Sequence, residues 1–262
     1  MNTTLSGWGT AVAVVLLLGV SWLLWWFSWK ARGDRSPDGR SPRQRFSFRR
    51  IQAFEFLRGF LDLVAERGKV AHVSLGNTGI GGDRTATVVP GLTVLRYLAE
   101  RGAAVDASPT VTVADPTLLF VAQDVIYDAH ERQGRAAAYR ATDVQLIAPD
   151  PAAYAIGALE VIRDEGVAAN VMVGSFGDEY LLMAEPGAQR DITQIAGSDA
   201  LNVHPFMVAT ADHVLLGEEL FAAGAYLTDR PEHVASLWVQ DILRMLIVAA
   251  IVIGVLIVTL TG

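Results

Sequence analysis

The residues of this sequence best suited to holding a ligand are glycines, set in short runs among hydroxyl, amide and carboxylate side chains. The first run is Gly76-Asn77-Thr78-Gly79-Ile80-Gly81-Gly82-Asp83, the second Gly174-Ser175-Phe176-Gly177-Asp178-Glu179, and the third Gly197-Ser198-Asp199. Two further carboxylates, Asp115 and Asp150, each stand directly before a proline. Glycine lets backbone N–H groups approach a ligand closely, and the start of a helix favours an anion. The candidate ligand-binding set is therefore Gly76, Asn77, Thr78, Gly79, Gly81, Gly82, Asp115, Gly174, Ser175, Gly177, Glu179 and Ser198.

None of these runs completes a known fingerprint. Gly76 and Gly81 have the spacing of a P-loop, but Gly82 and Asp83 stand where Lys and Ser or Thr are required. The dinucleotide pattern begins at Gly79 and Gly81 and fails at Arg84, where its third glycine belongs. Ser175 has Gly177 on one side, as in a nucleophile elbow, but Val173 occupies the other glycine position. The plainer reading is tight turns between strands and capped helices.

Other chemistry is bounded by composition. The chain has no cysteine, which excludes disulfides, thiolate catalysis and cysteine metal sites. Lys30 and Lys69 are the only lysines, so a P-loop or Schiff-base lysine would have to be Lys69. Asp83, Asp115, Asp150, Asp178 and Glu179 offer oxygen ligands of the kind Mg²⁺ or Ca²⁺ takes. Asp115 and Asp150 are more simply read as helix caps. The five histidines, His72, His130, His204, His213 and His233, form no HExxH motif. No catalytic residue and no metal ligand is assigned, and no cofactor is identified.

The elements that would position the glycine runs alternate. Residues 51–67 carry apolar side chains at Ile51, Phe54, Leu57, Leu61 and Val64, the spacing of an amphipathic helix. Strands are predicted over 70–75, 110–114, 144–148 and 170–174, with helices over 84–101, 116–133, 151–165 and 178–184 between and after them. Residues 192–196 and 206–210 could add two strands, followed by a helix over 215–223. Asp115 and Asp150 fall at N-cap positions with Pro116 and Pro151 at the first helical position. This order predicts an α/β fold, a mostly parallel Rossmann-like sheet flanked by helices, with ligands beyond the C-terminal ends of the strands.

The ends of the chain are apolar. Residues 7–29 carry no charge, and neither do residues 245–262. With about 20 apolar residues needed to cross a bilayer, transmembrane helices are expected over 7–29 and 242–261. Between them lie a linker over 30–50 and an α/β domain over 51–241. The linker holds eight basic side chains against two acidic ones, in a chain of net charge −7. The positive-inside rule then places the linker and the acidic domain in the cytoplasm, with both termini outside a bacterial inner membrane. An acidic domain argues against nucleic acid as a partner. The expected partners are the lipid bilayer, further copies of the chain, and anionic lipid touched by residues 30–50.

The segments HVSLGNTGIGG (72–82), VADPTLLFVAQDV (113–125) and VGSFGDEYLLMAE (173–185) resemble an uncharacterised family of bacterial two-span membrane proteins, a domain of unknown function. The likeness spans the domain and both apolar ends, and it implies an architecture without an activity. The leading expectation is a membrane-anchored, self-assembling scaffold or structural subunit, non-enzymatic or not demonstrably enzymatic. The alternative is a domain that senses or transforms a small ligand, a nucleotide-like anion or a divalent metal, on its glycine loops.

Overall fold

Strand and helix alternate because the sequence alternates short runs rich in β-branched residues with longer amphipathic ones, and the inner strands of a parallel sheet are buried on both faces. The computed structural model describes residues 18–23, 25–26, 29, 51–66, 68–82, 84–164, 166–190, 192–228, 239–248, 251, 255 and 259. The chain divides into two units, Arg49–Leu227 and a second made of Met1–Phe48 with Thr228–Gly262.

The first unit is a six-stranded sheet with every pairing parallel. Its strands are β1 (Val70–Gly76), β2 (Thr110–Val113), β3 (Val144–Leu146), β4 (Val167–Ser175), β5 (Thr193–Ser198) and β6 (His213–Leu216), and its helices are α1 (Gln52–Glu66), α2 (Thr85–Val105), α3 (Pro116–Arg132), α4 (Pro151–Arg163), α5 (Tyr180–Gln189), α6 (His204–Thr210) and α7 (Ala223–Leu227). The strand order is β3-β2-β1-β4-β5-β6. The chain winds outward from β1 to β3, returns through α4 to β4, and winds outward again to β6. This is a Rossmann-like arrangement, and its topological switch point lies between β1 and β4.

Local chemistry sets the helix starts. The Asp115 side chain accepts from Thr117 N at the head of α3, and Asp150 accepts from Ala153 N at the head of α4, each with proline following. Both caps satisfy donors that the first helical turn leaves open. The last third of the domain departs from expectation. Residues 206–210 are helical within α6, whose second residue is Pro205, a residue suited to a helix start. The sixth strand is His213–Leu216, and a 3-10 turn, Gly217–Ala222, takes most of the expected helix. Asp212 fixes that strand beside β5. Its carboxylate accepts from Gln194 N at 2.8 Å, and its own N–H donates to Gln194 O at 3.0 Å.

One face of the central strands carries a fully buried polar ladder. Gln194 Nε2 donates to Ala184 O at 2.8 Å and Thr210 O at 2.9 Å, which turns its Oε1 toward Asn170 Nδ2 at 3.0 Å. Asn170 Oδ1 must then accept from His72 Nδ1, 2.8 Å away. His72 Nε2 is left to accept from the Thr112 hydroxyl at 2.9 Å. Tyr154 of α4 completes the row, its phenol 2.6 Å from Ser74 Oγ and 3.1 Å from Thr112 Oγ1. Every polar group in the row has a partner, as burial demands.

Burial holds His72 down to about 4, with the Asn170 hydrogen bond partly opposing it. The unfolded chain therefore takes up a proton between about pH 6.5 and 4 that the folded chain refuses. The stability from this group is fully present above pH 6.5 and is lost as pH falls through that window, by about 3 kcal/mol in total at about 1.4 kcal/mol per unit. Urea midpoints measured from pH 7.5 to 4 should show this fall, and His72→Gln should remove it. An unchanged pH slope in that variant would rule it out.

In the second unit, Trp22 stacks on Trp26 and Trp25 on Trp29, with ring centroids 5.6 and 6.4 Å apart, the i, i+4 spacing of one helix face. The expectation of a transmembrane helix at each end is overturned. Among the described residues no helix is long and apolar enough to cross a membrane. The basic linker 30–50 lies outside the described residues.

Candidate functional site

The switch point is built where β1 and β4 run side by side and their loops part. A register shift lies between the pairings of Ser74 and Gly76 on β4. It presses the two strand ends together. Gly76 has φ +82°, and a Cβ there would lie 2.9 Å from Ser175 N; a Cβ on Gly174 would lie 2.6 Å from the carbonyl carbon of Leu75. Gly76 and Gly174 are thus needed by the backbone crossing beneath the site and offer no surface to a ligand.

Above this crossing the two loops are tied together. Asn77 N donates to Ser175 O at 3.0 Å, and Asn77 Nδ2 donates to Glu179 Oε1 at 2.6 Å. The same Glu179 oxygen accepts from Gly177 N at 2.7 Å. Arg84, at the N-cap of α2, donates from Nη1 to Ser175 Oγ at 3.2 Å. Ser175 is 1 % exposed, and among the described residues no histidine bonds its hydroxyl. It is a strut between the loops rather than a nucleophile.

From here the first loop bends over the end of β2. An open cleft of about 460 Å³ lies between Asn77, Thr78, Gly79, Ile80, Gly82 and Arg84 on one side and Asp115 and Pro151 on the other. Volumes of roughly 300–1,000 Å³ are usual for small-ligand sites. The outer loop is pinned by side chains: Ile80 N donates to Thr117 Oγ1 at 3.0 Å, and Gly81 N to Thr85 Oγ1 at 2.9 Å. By contrast, the backbone N–H groups of Thr78, Gly79 and Gly82 make no hydrogen bond among the described residues. The Thr78 hydroxyl oxygen is shielded from solvent and has no partner among the described residues. The 21-residue helix α2 begins at this loop with no side-chain cap and no acidic residue in its first turn.

Three backbone N–H groups without a partner among the described residues, the positive start of a long helix and a guanidinium line one cleft, and Asp115 adds a carboxylate to its wall. Glu179 is turned to the loop tie, where its Oε1 accepts from Asn77 Nδ2 and Gly177 N.

Of the residues picked from sequence, Asn77, Thr78, Gly79, Gly82 and Asp115 line the cleft. Gly177 and Glu179 hold its floor, Gly81 turns the loop at φ +110°, and Gly76, Gly174 and Ser175 form the crossing below. Ser198 stands apart, on β5. Its hydroxyl accepts from Ala200 N and its carbonyl bonds His204. Sequence reasoning missed Ile80, Arg84 and Pro151. Arg84 was visible there only as the residue that spoils a glycine motif, and Pro151 reaches the cleft through the return crossover.

Asp150 caps α4, and Lys69 precedes β1 at the opposite end of the sheet from the cleft. Among the described residues no group of three or more His, Asp or Glu could hold a metal ion.

The sequence model of the family described as "Domain of unknown function (DUF6754)" matches residues 12–262, nearly the whole chain, and the chain belongs to that family. No curated protein and no solved structure matches it.

Proposed function

We propose that this member of the DUF6754 family binds a small phosphate-bearing ligand in the cleft at the switch point. The observation that carries the reading is the set of N–H groups at Thr78, Gly79 and Gly82 that make no hydrogen bond among the described residues, in a loop lining the cleft beside Arg84 at the uncapped start of α2. Gly82 is exposed and Thr78 and Gly79 are half-buried, so these donors are open to a ligand, and a phosphate satisfies several at once. The position agrees with the rule that open α/β sheets bind ligands outside the strand ends at a switch point. The scaffold reading drew on two membrane anchors, and no described helix supplies one.

Inorganic pyrophosphate is the simplest probe. Titrated calorimetrically into the full-length chain at low salt, it should bind, and Arg84→Met should weaken it about 10- to 100-fold, as expected for a charge-assisted hydrogen bond. The same variant should melt close to the parent, because Arg84 is exposed and makes one side-chain bond among the described residues. Equal affinity in Arg84→Met would remove the site from this cleft.

A further inference from the structure

The cleft holds two opposite charges that do not pair with each other. On one side, Arg84 has a single described hydrogen-bond partner, Ser175 Oγ. On the other, Asp115 uses only one of its carboxylate oxygens within the chain: Oδ1 accepts from Thr117 N at 2.7 Å and from Thr117 Oγ1. No bond to Oδ2 is found among the described residues. A site that binds only an inorganic anion gains nothing from an unpaired carboxylate in its wall, since like charges repel.

Asp115 is held in that wall by the absence of a side chain opposite. A Cβ on Gly79 would overlap Asp115 Cγ and both carboxylate oxygens. Gly79 therefore does two things: it leaves its own N–H open to the anion, and it leaves the space the carboxylate fills. Capping α3 explains Oδ1 and leaves Oδ2 without a role.

We infer that the ligand is a nucleoside phosphate, with its phosphates on the loop N–H groups and Arg84 and its ribose hydroxyls donating to Asp115. This rests on the anion reading above and adds the group at the ligand's other end. A carboxylate accepts hydrogen bonds and cannot donate them, so its partner must carry O–H or N–H donors. Vicinal ribose hydroxyls supply two donors a short distance from a phosphate. Ile80, 44 % exposed, and Pro151 add apolar surface to the same cleft for a base. A further phosphate on the ribose would meet the Asp115 charge and be rejected.

The test measures affinities of pyrophosphate, ADP and 2′,3′-dideoxy-ADP for the full-length chain. The parent should bind ADP about tenfold or more tightly than the dideoxy analogue, the usual effect of a hydrogen bond to a charged group. In Asp115→Asn that ratio should fall toward one. Asparagine is as good an N-cap as aspartate, so folding is preserved. Gly79→Ala is a second variant, expected to displace the carboxylate and flatten the same ratio. If ADP and its dideoxy analogue bind the parent equally while pyrophosphate still binds, the ribose reading fails and the anion reading stands. If none of the three binds, both fail. If Asp115→Asn keeps the full ratio, the hydroxyls are read elsewhere and the assignment to Asp115 is wrong.

Discussion

Gly174→Val is expected to prevent the α/β domain from folding, or to cost at least about 3 kcal/mol, the upper end of ordinary overpacking. The reason is that the new Cβ meets backbone. It would lie 2.6 Å from the carbonyl carbon of Leu75 and 3.1 Å from Gly76 N, at the C-terminal end of the pairing between β1 and β4 where the register shifts. A flexible side chain could move away, but these atoms belong to the central strand of the sheet. Gly91 shows the same crowding from the helical side, where a Cβ would lie 2.7 Å from Val173 O. Gly59 is the control. It sits exposed in α1 with nothing within 4 Å, so Gly59→Ala should stabilise by about 0.5–1 kcal/mol through helix propensity. Urea melts of the two variants and the parent decide the matter. A Gly174→Val domain within about 1 kcal/mol of the parent, less than ordinary overpacking costs, would mean the strands do not approach this closely.

Asn170→Leu should cost about 2–5 kcal/mol, because it strands two buried groups at about 1–3 kcal/mol each. The groups are the His72 Nδ1–H and Gln194 Oε1, both in residues without exposed surface. Gln194 cannot turn to compensate, since both hydrogens of its amide are held by carbonyls. The ladder also fixes the His72 tautomer, and imidazole ¹⁵N shifts of the parent should report a proton on Nδ1. A proton on Nε2, or a loss below about 1 kcal/mol in Asn170→Leu, smaller than one stranded group should cost, would show that the row is wired differently.

What the sequence conveyed depended on how local the chemistry was. The Asp115-Pro116 and Asp150-Pro151 caps are complete within three or four residues, and both helices start where those residues place them. The first four strands in chain order were legible from short runs rich in β-branched residues, although β4 extends farther than its apolar centre, taking in Ala168 and Ser175. The sixth strand was not legible. His213–Leu216 is short, and Leu215, Leu216, Leu220 and Ala223 have a spacing that also suits a helix. What makes it a strand is its edge position beside β5 and the Asp212 bonds to Gln194, partners 18 residues apart.

The site divides in the same way. The first glycine loop and Asp115 were recognisable because residue type and strand-end position were enough. The division of labour among the glycines was not, because it depends on which backbone lies opposite each one. Gly174 faces Leu75 and belongs to the sheet, whereas Gly79 faces a carboxylate and belongs to the cleft. Ser198 entered the candidate set as one strand end among several, but the strand order puts β5 one place beyond the switch point. The apolar ends of the chain suggested membrane helices from composition alone, and among the described residues no helix is long and apolar enough to cross a membrane.

The most direct measurement is an amide NMR titration of the full-length chain with pyrophosphate. The largest shifts are expected at Thr78, Gly79 and Gly82 and in the first turn of α2, with Ser198 and the β5–α6 loop nearly unmoved. Shifts absent from the first glycine loop, or centred on β5, would contradict an anion site at the switch point.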